Sequence, residues 1–444
     1  MKKISVITLI TVIISLFYNI RVNAVTFTPG DTIHSEAAYL INLDTDSVIY
    51  EKNSEKQEYP ASLTKIMTAI LVIENVPDLK NTMIEAPAYV FDELYMTGAS
   101  TADFRPYETA SAQDLMYGML LQSACEAASI LGNHVGGNSI SNFVDMMNAK
   151  AKEIGAVNTN FVNAHGLFDS NQYTTAKDMA LITKYAMKLP KFKEIVSTYS
   201  YQIAPSNKHT EARTVTHTNL MMSKTSEYYY PNVRGIKTGT LDESGRCLIT
   251  YASKDGYNYL LVVMNAPLKD EDGNNVYYNF TDTKALYEWA FNNFSYTSLL
   301  SKTEAIGEVS VNFSDGKDYV LVNPSEDFSA LWPSTVDPST IQRVIDLKEE
   351  ADAPIEKGQK LGTMELKAGG ETLTKVDLIA AGSVKRSDLK YNLYLAKKFT
   401  SSLWFKIAVG AIIAFIIFYI FVFIAINRKK KKRKIKHVNK KRQF

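Results

Sequence analysis

One stretch of this sequence limits its architecture more than any other: the twenty residues at 407–426 include no charged side chain. A helix of that length is about 30 Å long, which matches the hydrocarbon core of a bilayer. A buried core helix is the alternative, but an all-apolar helix that adjoins a strongly basic tail argues against it. We therefore expect a transmembrane helix at 407–426 that holds the protein in a lipid bilayer.

The charged residues indicate how the chain crosses the bilayer. The tail at 427–444 contains eleven Lys and Arg residues and no Asp or Glu, and an excess of basic residues marks the cytoplasmic side of a membrane helix. The residues before the helix are then extracytoplasmic. Since the whole chain has a net charge of only +2, the part before the tail is net negative, which argues against nucleic acid as a partner.

The N-terminus is typical of an exported protein. Two lysines precede a largely apolar stretch at 4–20, and a small-residue pattern ends at Ala24. This order predicts a signal peptide at 1–24, with an uncleaved anchor as the alternative. The only two cysteines, Cys125 and Cys247, exclude a disulfide framework, and two buried thiols fit the chain better than one bridge.

The remaining chain divides into two zones by its hydrophobic pattern. From 30 to 295, strand-like patterns lie at both ends of the segment, with helical patterns between them and after the last strands. This order predicts an antiparallel sheet built from distant segments, an α+β arrangement. From 297 to 390, alternating apolar residues and Gly-containing turns predict a separate small all-β domain. Residues 391–406 then form a connector to the membrane helix. Within the first zone, helices are predicted at 62–75, 112–134, 140–154 and 175–188, and a strand pair at 245–266.

Ser62 and Lys65 are the first candidates for catalysis. Because Ser62 opens a helical pattern, Lys65 lies one turn further along the same face. A buried lysine has a lowered pKa and can accept the serine proton, as a Ser/Lys nucleophile pair requires. A helix-capping serine beside a solvated lysine is the alternative. The same Ser-x-x-Lys pattern recurs at 314–317 and 387–390, so the pattern alone does not decide between them.

The segment Lys237-Thr238-Gly239-Thr240 is the second candidate. It follows a short apolar run and is typical of a strand edge, where a lysine and two hydroxyl groups can face a cleft. Gly239 would let a ligand approach the backbone closely. A charged edge strand that deters aggregation is the alternative, and it would explain the lysine but not the glycine.

Four stretches of the chain match a known family in order and spacing. The chain resembles the low-molecular-mass penicillin-binding proteins, specifically the D-alanyl-D-alanine carboxypeptidases with the motifs Ser-x-x-Lys, Ser-x-Asn and Lys-Thr-Gly. The resemblance covers most of 30–385. It implies a penicillin-binding/serine β-lactamase-like catalytic domain at 30–295, with an antiparallel sheet packed against helices and a helical subdomain, and then the all-β domain. The stretches are "PASLTKIMTA", "RPYETASAQDLMYGMLLQSACEAA", "NTNFVNAHGLFDSNQYTTAKDMA" and "RGIKTGTLDESGRCLI".

The resemblance implies an activity and its nucleophile. Ser62 would attack the carbonyl group between the two terminal D-alanines of a peptidoglycan stem pentapeptide, with Lys65 as general base. Water would then release the shortened peptide from the acyl-enzyme, and no metal or organic cofactor would take part. β-Lactam antibiotics, which imitate the terminal dipeptide, would acylate the same serine.

The resemblance also assigns the residues around the leaving group. Ser123 and Lys237 would pass a proton to the departing D-alanine. Thr238 and Thr240, assisted by the charge of Lys237, would hold the terminal carboxylate. The backbone N–H groups of Ser62 and Thr240 would form the oxyanion hole, which is usually the largest single catalytic contribution.

The sequence departs from the family pattern at two places. Where the family has Ser-x-Asn, this chain has Ser123-Ala124-Cys125, and a thiol makes only weak hydrogen bonds where an amide both donates and accepts. Cys125 at this substrate-binding position either contacts the substrate or packs as a small apolar residue. The stretch "MNAPLKDEDGNN" also lacks an arginine that some members use for the substrate carboxylate, and Arg234 or Arg246 could replace it.

The sequence thus predicts a serine D-Ala-D-Ala carboxypeptidase anchored at the outer face of a bacterial cytoplasmic membrane. His165, which the family places near the cleft, is expected to be a structural loop residue because Lys65 already fills the position of the base. A β-lactamase or transpeptidase with the same acyl-enzyme is one alternative, although no glutamate stands out as an activator of water. A non-catalytic penicillin-binding or wall scaffold protein is the other, and the intact catalytic motifs argue against it.

Overall fold

The computed structural model describes residues 29, 30 and 32–440, so the predicted signal peptide at 1–24 lies outside the described residues. These residues form two compact units. The first contains the chain up to Thr297 together with 330–337. The second contains Ser298–Ser329 and the chain from Pro338 onward.

A five-stranded antiparallel sheet organises the first unit. Its strand order is β2-β1-β9-β8-β7, so β1 pairs on one side with its neighbour in sequence, β2, and on the other with β9, more than 200 residues later. This confirms the antiparallel sheet from distant segments that the sequence predicts. The strands of the first unit are β1 Ala37–Asn42, β2 Val48–Lys52, β3 Met83–Glu85, β4 Thr109–Ser111, β5 Ser200–Ile203, β6 Arg213–Thr216, β7 Val233–Leu241, β8 Gly245–Lys254 and β9 Tyr257–Ala266.

Helices cover both faces of this sheet. On β9, Leu260 and Val262 pack towards the helices on one face, and the alternate residues Leu261 and Val263 pack towards a later helix on the other. A strand buried on both faces is apolar almost throughout, as this one is. The helices are α1 Lys65–Asn75, α2 Ala112–Leu121, α3 Cys125–Val135, α4 Ile140–Ile154, α5 Ala176–Ala186, α6 Pro190–Val196 and, on the second face, α7 Tyr278–Asn293.

Two of the predicted helices differ in detail. The helix expected at 62–75 begins with a 3-10 turn, Ala61–Thr64, and becomes α-helical only at Lys65. The helix expected at 112–134 is two helices, because Ser123 between them has a φ of +64°. A left-handed residue cannot continue a right-handed helix. Both interruptions lie at serines proposed for catalysis, where unusual backbone conformations are frequent.

The second unit is built around a six-stranded sheet with the order β14-β16-β17-β12-β11-β15. All its neighbouring strands whose pairing is described are antiparallel except β11 and β15. Val309, Val322, Met364 and Leu378 are fully buried and form part of its core. The remaining strands of the chain are β10 Phe294–Leu300, β11 Gly307–Asn312, β12 Tyr319–Pro324, β13 Phe328–Pro333, β14 Gln342–Leu347, β15 Glu350–Asp352, β16 Lys360–Ala368 and β17 Glu371–Ala380.

Two helices end the chain. Helix α8, Asp388–Ser401, starts at the capping residue Ser387, whose side chain accepts a hydrogen bond from Lys390 N. Helix α9, Leu403–Lys440, follows after Ser402. Within it, Leu403–Lys431 is long and apolar enough to cross a membrane, and its apolar side chains are exposed. This exposure is expected of a lipid-facing helix and not of a core helix.

Candidate active site

The Ser62 and Lys65 side chains meet directly. Lys65 Nζ lies 2.9 Å from Ser62 Oγ, because the 3-10 turn presents the serine just as α1 begins and the lysine follows one turn later. Lys65 is fully buried. Its ammonium group also donates to the carbonyl oxygen of His165 and lies 3.4 Å from Cys125 Sγ. A serine hydroxyl therefore faces an amine held in a fixed position away from water.

Ser123 and Lys237 form a second serine–lysine pair from distant parts of the chain. Lys237 Nζ donates to Ser123 Oγ at 2.9 Å and to Thr238 O at 2.9 Å. Lys237 lies on β7 and is fully buried, and Ser123 lies between α2 and α3 with 6% exposure. The left-handed backbone of Ser123 turns its side chain out of the helical path towards β7.

Burial changes the ionisation of both lysines. It lowers the pKa of Lys65 from its usual value of 10.5, and the thiol of Cys125 and the carboxylate of Glu126 only partly oppose this. The pKa of Lys237 falls well below 10.5, mainly by burial and then by the positive charge of Lys65. Since each positive charge disfavours the other, loss of the proton from Lys65 favours its retention on Lys237.

Strand β7 approaches the Ser62 turn closely at Gly239. A Cβ atom at this position would lie 3.1 Å from Ala61 Cβ and 3.3 Å from Ser62 N, so a larger residue would press against the turn that carries Ser62. Thr240 beside it is exposed, and Thr238 Oγ1 lies 2.5 Å from Thr218 Oγ1. Sequence patterns do not indicate Thr218, which lies in the loop after β6.

The structure brings all eight predicted site residues to one region. Among them, Cys125 is buried against Lys65. Cys125 Sγ contacts Lys65 Nζ and lies 3.9 Å from Ser123 O, with 3% of the residue exposed.

Both cysteines are free and buried, as the sequence favoured. Burial raises the pKa of Cys247 to about 12. Within 32–440, no group of three or more His, Cys, Asp or Glu side chains could hold a metal ion.

The two candidate arginines have different surroundings. Arg234 is exposed, and its guanidinium group donates to the carbonyl oxygens of Pro231 and Val233 near the start of β7. Arg246 on β8 pairs across the strands with Thr240. Its Nε donates to Val276 O at 2.7 Å, and the guanidinium plane lies 4.0 Å from the centre of the Tyr277 ring.

The other two Ser-x-x-Lys patterns lack this geometry. Ser314 Oγ donates to Asp318, and Lys317 lies over the ring of Tyr319. Ser387 caps α8, and the ammonium group of Lys390 binds Asp318. Neither lysine contacts its serine, because a turn and a helix cap direct the side chains apart. Only the first of the three patterns, at Ser62, places an amine on the serine hydroxyl.

The chain is similar to several known proteins over most of its length. The family profile described as "D-alanyl-D-alanine carboxypeptidase" matches residues 23–268, and that described as "Penicillin-binding protein 5, C-terminal domain" matches 294–386. D-alanyl-D-alanine carboxypeptidase DacF of Bacillus subtilis (strain 168) is 30% identical over 354 residues, which is 80% of this chain and 86% of that protein. DacA of Haemophilus influenzae is 29% identical over 353 residues, covering 78% and 84%.

Solved structures agree with these relatives. Penicillin-binding protein 5 from Haemophilus influenzae is 26% identical with a TM-score of 0.57, covering 81% of this chain and all of that chain. The Streptomyces K15 DD-transpeptidase is 25% identical with a TM-score of 0.54, covering 60% of this chain and all of that chain. Together with the serine–lysine pairs, these similarities identify the chain as a member of the serine-type D-alanyl-D-alanine carboxypeptidase family, whose members are penicillin-binding proteins.

Proposed function

We propose that Ser62 is the nucleophile and Lys65 the general base of the D-Ala-D-Ala carboxypeptidase reaction in this chain. The observation that carries the proposal is the 2.9 Å contact between Lys65 Nζ and Ser62 Oγ, with the lysine fully buried. The neutral amine removes the hydroxyl proton while Oγ bonds to the carbonyl carbon between the two terminal D-alanines of a stem pentapeptide. The backbone N–H groups of Ser62 and Thr240 stabilise the resulting oxyanion.

The second serine–lysine pair acts on the leaving group. As the tetrahedral intermediate collapses, the C–N bond breaks and the D-alanine nitrogen takes a proton from Ser123, which Lys237 replaces through its 2.9 Å contact with Ser123 Oγ. The peptide lacking its last D-alanine remains as an ester on Ser62. Water then attacks this ester and restores the serine hydroxyl. The thiol of Cys125 packs against Lys65 and helps to fix the amine.

The release of D-alanine tests this function. The full chain in detergent, incubated with a pentapeptide that ends in D-Ala-D-Ala, is expected to release one D-alanine per peptide, and prior treatment with penicillin is expected to block the release. A chain that releases no D-alanine and binds no penicillin covalently would instead be a non-catalytic scaffold. Rapid hydrolysis of penicillin without D-alanine release would identify a β-lactamase.

Arg246 is proposed to bind the terminal carboxylate of the substrate, together with Thr238 and Thr240. Its strand register places it beside Thr240, and stacking on Tyr277 fixes its guanidinium plane. A guanidinium group binds a carboxylate through two parallel hydrogen bonds. Arg234 lies near the start of β7, and its guanidinium group donates hydrogen bonds to backbone carbonyl oxygens.

Arg246→Ala is expected to lower kcat/KM for D-alanine release by about 10- to 100-fold, the usual value of hydrogen bonds to a charged group. Arg234→Ala is the matched control and is expected to remain within about twofold of wild type, because its side chain faces the protein backbone. A pentapeptide with a C-terminal amide should lose no further rate in the Arg246 variant. Equal loss in both arginine variants, or for both peptides, would contradict this role of Arg246.

The same family comparisons imply a peptidoglycan substrate and binding of β-lactams, and the C-terminal apolar helix is compatible with a membrane anchor. We propose that the anchor crosses the membrane once, with the active site outside and the tail at 427–444 in the cytoplasm. We also propose the domain limits predicted from the sequence, with the catalytic domain at 30–295, the all-β domain at 297–390 and the membrane helix at 407–426. Protease added to intact protoplasts should digest the catalytic domain and leave a tag placed after Phe444 protected, and the opposite pattern would overturn this topology.

A further inference from the structure

We propose that Glu93 is a positioning residue that holds the turn around His165, and through it the base Lys65, in place for acylation. This inference rests on the proposed role of Lys65. Glu93 lies in the 3-10 helix Ala88–Leu94, which belongs to a different part of the chain from every catalytic motif. Nothing in its sequence neighbourhood resembles a site, so only the folded chain reveals its contacts.

The turn that Glu93 touches is fastened to the catalytic helix. Two successive carbonyl groups of the turn accept hydrogen bonds from α1: Ala164 O accepts from Thr68 Oγ1 at 2.6 Å, and His165 O accepts from Lys65 Nζ. Gly166, with a φ of +85°, lies directly against Ala61 O, where any Cβ atom would clash. A movement of this turn would therefore displace the acceptor that orients Lys65.

The ring of His165 connects the turn to Glu93. His165 Nδ1 accepts a hydrogen bond from Leu167 N at 3.1 Å, so the neutral ring carries its proton on Nε2. That nitrogen lies 3.4 Å from Glu93 Oε1, an ion-pair distance, and it makes no hydrogen bond to any described residue. Since His165 is 4% exposed, the nearby carboxylate stabilises this buried N–H group electrostatically, and its removal would leave the group without this polar neighbour, which is unfavourable.

Glu93 is itself held by a second partner, on helix α3. Ser129 Oγ donates to Glu93 Oε1 at 2.7 Å, and Ser129 lies on α3 one turn after Cys125. The carboxylate thus joins the helix that follows Ser123 to the turn that orients Lys65. Burial opposes its charge, but the contact with His165 and the hydrogen bond from Ser129 lower the pKa of Glu93, so it is ionised at neutral pH.

The chain contains a matched control for this contact. One turn further along α3, Asn133 Oδ1 accepts a hydrogen bond from Tyr89 OH at 2.8 Å. This second bond fastens the same 3-10 helix to the same α-helix but does not involve His165. A variant that removes it separates general tethering of the segment from positioning of the His165 turn.

The test measures acylation of the full-length chain by a chromogenic β-lactam, with separate values for noncovalent binding and for the covalent step. Glu93→Ala is expected to slow the covalent step about tenfold and to leave noncovalent binding within about twofold, because only the orientation of Lys65 changes. Glu93→Gln keeps an oxygen acceptor for both partners and is expected to stay within about threefold of wild type. Tyr89→Phe is expected to behave as wild type.

Three results would overturn the positioning role: equal rates for wild type and Glu93→Ala, equal slowing by Glu93→Gln and Glu93→Ala, or equal slowing by Tyr89→Phe and Glu93→Ala. Thermal unfolding of each variant shows whether it is folded. If the alanine variant is not, Glu93→Met, which keeps the side-chain length without an acceptor, is expected to show the same slowing of about tenfold, and a rate equal to wild type would overturn the role. If wild type itself is not acylated, the proposed function fails and this inference fails with it. Equal rates in acylated proteins would overturn only the inference.

Discussion

Replacement of Ser62 by alanine is expected to abolish covalent labelling of this chain by a fluorescent penicillin. The serine oxygen is the atom that would bond to the β-lactam carbonyl carbon, and the buried amine of Lys65 lies 2.9 Å from it. Covalent catalysis requires both a nucleophile and a base within hydrogen-bond reach. The labelled band on a denaturing gel measures the result directly.

The two repeated Ser-x-x-Lys patterns provide controls within the same molecule. Ser314→Ala and Ser387→Ala are expected to label as strongly as wild type, because their lysines contact other groups. Ser123→Ala should still be labelled, although more slowly, because Ser123 serves the leaving group in our account. Labelling of Ser62→Ala at the wild-type level would show that the nucleophile is elsewhere.

Replacement of Lys65 by methionine is expected to slow acylation about a thousandfold, within the usual range of about 10²- to 10⁴-fold for a general base. Methionine has a similar length and suits a fully buried position, so the fold should be retained. Stopped-flow measurement of acylation, with thermal unfolding as a check of folding, gives the result. A loss of less than about threefold would mean that another group takes the proton.

The pH dependence of the wild-type enzyme follows from the same lysine. Only the neutral amine can accept a proton, so acylation should rise with pH through the pKa of Lys65, and it should fall again at higher pH when Lys237 loses the proton that it supplies to Ser123. Burial lowers that pKa from 10.5, so the midpoint is expected below pH 10.5. A profile without a rising limb below pH 10.5 would contradict the assignment of Lys65 as base.

Much of the fold could be predicted because its signals are local. The alternating patterns of β8 and β9 and the helical patterns behind Ser62 depend on neighbouring residues alone, and the structure confirms the antiparallel sheet and the helices around it. The interruption at Ser123 could not be predicted. Its left-handed backbone accompanies a contact with Lys237, which is distant in the sequence, so the helical preference of the neighbouring residues does not reveal it.

The site shows the same division. Ser62 and Lys65 could be paired from helix geometry, whereas Ser123 and Lys237 could be joined only through resemblance to a family. The comparisons confirm that family and favour the carboxypeptidase over the β-lactamase and transpeptidase alternatives. The carbonyl of His165 could not be anticipated, because any residue supplies a carbonyl group and the side chain gives no signal. The choice between two arginines required the strand register, which sequence patterns leave open by one residue or more.

The most direct test of the central claim is to locate the covalent adduct itself. Wild-type protein treated with penicillin, digested and analysed by mass spectrometry should carry one penicilloyl group, on the peptide that contains Ser62. The same peptide should be unmodified when the protein is denatured before treatment, because the contact between Ser62 and the buried Lys65 exists only in the folded chain. An adduct on any other residue, or equal modification of folded and denatured protein, would contradict the account.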